Sequence, residues 1–105
     1  MILEDMLVDL GCEVVATAQH VERALQLAPE AAIDVALLDV NVGGTRIDPV
    51  ATLLAERGIP MVFVTGYEAP SLPKGLGPVV RVGKPFQAHE LADGLRRALA
   101  PRGAP

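Results

Sequence analysis

The chain has no tryptophan, only one tyrosine and two phenylalanines, and a single cysteine. With so few rings among 105 residues, half of them hydrophobic, the interior must be assembled from Ala, Val, Leu and Ile. That size suits one small domain around one core. A lone thiol excludes an internal disulfide, and Cys12, in GCEVV at the expected start of a strand, is expected to be a small buried hydrophobe. No apolar run approaches the ~18 residues of a membrane span. The N-terminus lacks the charged segment followed by an apolar one that marks a signal peptide. Nine Lys and Arg against thirteen Asp and Glu leave a net charge of −4, which excludes a basic nucleic-acid surface. Neither G-x-G-x-x-G nor a P-loop is present, and Gly43-Gly44 is too short to cradle phosphates. There is no internal repeat and no domain linker. These absences lead to the expectation of a soluble, cytoplasmic chain with neither nucleic acid nor membrane as partner.

What is there is organised around residues 33–44, IDVALLDVNVGG. Positions 35–38 form an unbroken apolar run of the length of a strand buried on both faces. The run ends on Asp39 and then on a Gly-Gly turn. An acid at the C-terminal end of a buried strand stands at the sheet rim, where open α/β folds bind ligands. On this segment alone, Asp39 could equally cap the loop that follows.

From the start, Ile2, Leu3, Met6, Leu7 and Leu10 recur at helical spacing, with Gly11 suited to the C′ position. Residues 14–18 read as a strand. A second helix carries Val21, Ala24, Leu25 and Ala28 on one face and stops at Pro29. After the strand at 35–39, Asp48 and Pro49 read as N-cap and first helical residue of a helix reaching Arg57, with Gly58 as its stop. Residues 60–64 form another apolar strand, leading into Thr65-Gly66. The segment 67–78 holds Pro70, Pro73 and Pro78, which exclude an ordinary helix there. Residues 79–82 are the last strand. A closing helix over 88–100 is expected to present Leu91, Leu95 and Leu99 to the core, and the tail 101–105 to be disordered. Strands alternating with helices imply an α/β fold with a parallel sheet between helices, most naturally in the flavodoxin-like strand order 2-1-3-4-5.

Asp39, Thr65 and Lys84 each lie at or just beyond the C-terminal end of an expected strand. In a parallel sheet those ends share one edge, so the three side chains can converge. A carboxylate can accept a phosphoryl group, a hydroxyl can donate to its oxygens, and an ammonium can balance its charge.

On these residues the sequence resembles the receiver domains of two-component response regulators, bacterial phosphorelay proteins. DVNVGG around Asp39 resembles the phospho-acceptor turn, FVTG at 63–66 the switch-hydroxyl strand, and VGKPF at 82–86 the Lys-Pro strand end. FVTGY, with the proline-broken fourth helix, is similar to the FATGUY subgroup known from alphaproteobacteria. The resemblance covers nearly the whole chain, a receiver over residues 1–100. It implies a phosphoprotein in which Asp39 is phosphorylated, Thr65 turns onto the phosphoryl group and Lys84 pairs with it. It also implies a cis Lys84-Pro85 peptide. The partners implied are a histidine kinase or phosphotransfer protein and a downstream protein. Any activity would be limited to self-catalysed phosphoryl transfer and autodephosphorylation, so the chain is not expected to be an enzyme.

Several features depart from the family. A receiver opens on a strand ending in an acidic pair that holds Mg²⁺, whereas this sequence begins inside the first helix. Glu4-Asp5 cannot substitute, because too few residues separate it from Gly11 for the helix that must follow such a pair. The metal donors on offer are Asp39 and the backbone carbonyl of Asn41, so Mg²⁺ binding is expected to be weak or absent in this form. Residues upstream of Met1 are the favoured explanation, a degenerate receiver the alternative. Without its first strand the sheet has open edges, which self-association into a homodimer or a rearranged sheet is expected to close. Arg81 stands where the family often has a switch aromatic, and Tyr67 is either an ordinary loop residue or its replacement. His20, His89 and the arginines near the C-terminus read as surface positions. Output is then by protein contact, or through an effector outside the chain. Two rivals stand beside the phosphorylated receiver: a phosphorylation-independent interaction module, and a small flavodoxin-like ligand binder or enzyme.

Overall fold

The computed structural model describes residues 3–66, 75–76 and 79–100. The expectations for Tyr67, for most of the proline-rich segment 67–78 and for the tail 101–105 lie outside the described residues. In chain order the elements are α1 (Leu3–Asp9), α2 (Val21–Leu27), β1 (Ala36–Leu38), β2 (Asn41–Val42), β3 (Thr45–Arg46), α3 (Asp48–Glu56), β4 (Met61–Thr65), β5 (Val80–Gly83) and α4 (Ala88–Leu99).

The fold is built on β4, all five of whose residues are buried. Successive side chains of a strand point to opposite faces. Met61 and Phe63 therefore enter one core with Val21, Ala28, Val50, Ala51 and Leu54 of the α2–α3 layer. Val62 and Val64 enter a second core with Val82, Leu91, Leu95 and Ala98, against which Leu3, Met6 and Leu7 of α1 also pack. A strand with both faces covered in this way reads as a continuous apolar run, as residues 60–64 do. β4 pairs in parallel with β1 on one side and β5 on the other. The resulting order β1-β4-β5 is that of the last three strands of the flavodoxin-like sheet.

Four local expectations are corrected. Residues 14–18 form no strand: the stretch lies outside the sheet, with Val15 52% exposed. A ladder needs a neighbour, and no described strand runs beside it. Cys12 is accordingly half-buried in irregular chain, packed against the edge of the second core. Asp48 is the first helical residue of α3 and caps nothing; its carboxylate is held by Arg46, at 2.8 and 3.3 Å. Leu99 is 50% exposed, because α4 turns Leu91, Gly94, Leu95 and Ala98 inward. At 3.6 residues per turn, position 99 falls about 80° round the helix from Leu91.

The glycine turn proves to be a miniature hairpin. Gly43 and Gly44 both have positive φ, +59° and +85°, and join β2 to β3 in antiparallel pairing. Positive φ at both central residues is what a two-residue type I′ turn demands. The hairpin is anchored at its base, where the Ile47 N–H donates to the Val40 carbonyl at 2.8 Å and both side chains are buried.

Candidate functional site

The three expected residues lie where the sheet topology predicts. Asp39 follows the last residue of β1, Thr65 ends β4, and Lys84 follows β5. The β4–β5 register sets Thr65 opposite Gly83, and the next backbone amide, of Lys84, donates to the Thr65 carbonyl at 2.7 Å. That bond aims the start of the Lys84-Pro85 loop back over the sheet edge, and the Lys84-Pro85 peptide is cis, as the resemblance implied. The Gln87–Glu90 capping box then starts α4, with the Gln87 amide donating to Glu90 Oε1 at 2.9 Å.

Lys84 Nζ donates to Asp39 Oδ2 at 2.9 Å. The two side chains are 46% and 42% exposed, so the pair is accessible to an incoming reactant. Behind it lies a cleft of about 240 Å³ lined by Leu3, Leu37, Leu38, Val64 and Phe86. The carboxylate therefore has an apolar floor on one side and solvent on the other.

Thr65 differs from both. It is 1% exposed. Arg81 Nε donates to Thr65 Oγ1 at 3.2 Å. Arg81 lies opposite Phe63 in the β4–β5 register. Strand alternation therefore raises its side chain on the same face as Phe63 and Thr65, one diagonal step from the hydroxyl. The sequence marked Arg81 only as a departure from the family pattern; its hydroxyl partner depends on the register, which no local motif encodes. Arg81 also lines an open groove of about 420 Å³ between β5 and α4, with His89, Glu90, Asp93, Arg96 and Arg97. Arg97 is paired there with Asp93 at 3.1 Å, one helical turn away.

The fit of a divalent cation can be judged from the donors. Asp39 supplies one carboxylate, one oxygen of which Lys84 already engages. Asn41 stands two residues on, at the start of β2. Glu4 and Asp5 lie on the exposed first turn of α1. Among the described residues no three His, Cys, Asp or Glu side chains gather into a cluster. This donor set falls short of the near-octahedral oxygen shell that Mg²⁺ takes. His20 and His89 are exposed, as expected. No helix among the described residues is long and apolar enough to cross a membrane.

Neither family models nor curated proteins give a match to the chain. Solved structures do. SdrG from Sphingomonas melonis Fr1 is similar at 38% identity and a TM-score of 0.80, over 93% of this chain and 84% of that one. The signal receiver domain of a modulated diguanylate cyclase from Desulfovibrio desulfuricans G20, described as an example of alternate folding, is similar at 26% identity and a TM-score of 0.79, over 92% and 81%. A CheY-like response regulator receiver domain protein from Methanospirillum hungatei JF-1 shares the fold at 21% identity and a TM-score of 0.75, over 91% and 80%. Together with the β1-β4-β5 order, these define a CheY-like, flavodoxin-type α/β domain. The chain belongs to the response regulator receiver domains of two-component signalling.

Proposed function

We propose that this receiver accepts a phosphoryl group on Asp39 from the phosphohistidine of a histidine kinase or phosphotransfer protein, and signals through protein contacts. The observation that supports this most is the exposed Asp39 carboxylate held 2.9 Å from Lys84 Nζ at the strand-end rim of the sheet. In the step, an Asp39 carboxylate oxygen attacks phosphorus in line. The new P–O bond forms as the P–N bond breaks, and its electron pair leaves on the imidazole nitrogen. The work of the site is positioning and charge balance. Lys84 balances the dianionic product, and the Thr65 hydroxyl donates to a phosphoryl oxygen.

The short donor set around Asp39 favours one alternative, an interaction module that works without phosphorylation. Intact-mass analysis after incubation with acetyl phosphate and Mg²⁺ separates the two. The mass should rise by one phosphoryl group in the chain and not in Asp39→Asn. No gain in either would discard the acceptor reading and favour the interaction module.

A further inference from the structure

We infer that the outer edge of β1 is a strand-addition site, and that residues 14–18 of a second copy of this chain fill it, reciprocally, in a two-fold dimer. The inference stands apart from the phosphorylation of Asp39.

Hydrogen-bond direction defines the acceptor edge. The backbone groups of successive strand residues point alternately to the two sides. The Ala36 N–H donates to the Pro60 carbonyl at 3.0 Å, and Ala36 and Leu38 pair with Met61 and Phe63 of β4. The N–H and carbonyl of Leu37 therefore point away from β4. β1 ends the described sheet, so no described strand meets them. Residues 35–38 are half-buried and carry none of the charges or prolines with which sheet edges are usually blunted. The same chain holds the complementary piece. Residues 14–18, VVATA, lie outside helix and sheet and expose Val15, Ala16 and Thr17, with Val15 at 52%. Their β-branched content suits a strand. An exposed apolar segment and an open ladder are each unfavourable, and joining them removes both. Pairing β1 with β1 of a second copy would use only three residues a side and leave 14–18 exposed. Reciprocal exchange instead joins a five-residue segment to each edge. Both copies give and receive the same elements, so the contact closes as a two-fold. Charge sets the direction of the added strand. Asp34 stands before β1, and Lys84 lies beyond its other end, bonded to Asp39. An antiparallel strand brings Glu13 to the Lys84 end, whereas a parallel one sets it beside Asp34, a like charge.

The test uses the full chain. Light scattering after size exclusion should show a dimer that dissociates on dilution, and hydrogen exchange should show the Leu37 amide protected in the dimer and open in the monomer. Successive N–H groups of the added strand alternate in direction, so one of Val15→Pro and Ala16→Pro removes a donor to β1. Both positions are exposed and outside helix and sheet, so the circular dichroism of each variant should match the parent's. Two such bonds are lost per dimer at about 3- to 10-fold each, so the dissociation constant should rise about 10- to 100-fold in that variant. A readout without any variant comes from mixing isotope-labelled and unlabelled copies: filtered NOEs should join 14–18 of one copy to 35–38 of the other. A monomer at all concentrations, a dimer indifferent to both prolines, or NOEs between these segments only within one copy would each overturn the inference.

Discussion

Replacing Lys84 by alanine separates holding the fold from holding the phosphoryl group. Two unit charges 2.9 Å apart, as in the Lys84–Asp39 pair, attract by about 1.4 kcal/mol in a medium as polarisable as water. Both side chains are more than 40% exposed, so screening and the entropy of fixing them reduce the net stability of the pair to about 0–1 kcal/mol. The buried cores on either side of β4 are untouched. Lys84→Ala should therefore lower the melting temperature by no more than about 8 °C, the upper end of the shift per kcal/mol for a domain of this size. Phosphorylation replaces a carboxylate monoanion by an acyl phosphate close to a dianion, adding roughly one negative charge beside the ammonium. At the same separation and screening, that added charge is worth about another 1.4 kcal/mol, or a factor of about ten. The phosphorylated fraction at limiting acetyl phosphate should fall by up to about tenfold in a variant that melts nearly where the parent does. Circular dichroism and intact mass on the same samples measure both quantities. A Lys84→Ala chain that unfolds, or one phosphorylated as fully as the parent, would refute the charge-balancing role.

Two further substitutions test the framework that positions the site. A Cβ added at Gly94 would meet Val82 Cγ2 at 2.8 Å, on a stiff, buried side chain. Gly94→Ala should thus be destabilising by about 1–2 kcal/mol in urea unfolding despite its gain of about 1 kcal/mol in helix propensity, and Val82→Ala in the same chain should relieve much of the strain. Arg57 reaches from beyond the end of α3 to the carbonyls of Ala28 and Ala31, just beyond α2, the latter at 3.0 Å. Arg57→Ala should cost about 1–2 kcal/mol in the same assay, and Arg57→Lys should restore less than half, because one ammonium does not reproduce the two-pronged donor.

What could be read from the sequence divides along a physical line. A strand buried on both faces needs apolar residues at every position, and residues 60–64 announce β4 in that way. Residues 35–38 announce β1 by the same composition, but β1 ends the described sheet and is only half-buried, against the expectation of two covered faces. Proline and glycine act through their own backbone, so the ends of α2 and α3 at Pro29 and Gly58 were equally legible; Gly58 adopts φ +73°. Non-local matters were not. Residues 14–18 have strand-like composition, yet a strand exists only through its neighbour, and no described strand lies beside them. Leu99 repeats the four-residue spacing of Leu91 and Leu95, but its place depends on which side of α4 meets the sheet. Gly94, invisible as a core residue, marks where the helix comes closest to it. The site divides in the same way. Parallel strands put their C-terminal ends on one edge whatever their register, so Asp39, Thr65 and Lys84 could be gathered from topology alone. The partner of the buried hydroxyl follows from register, and register sets Arg81 one diagonal step from Thr65. The residue that departs from the family's aromatic pattern is, for that reason, the donor to the Thr65 hydroxyl.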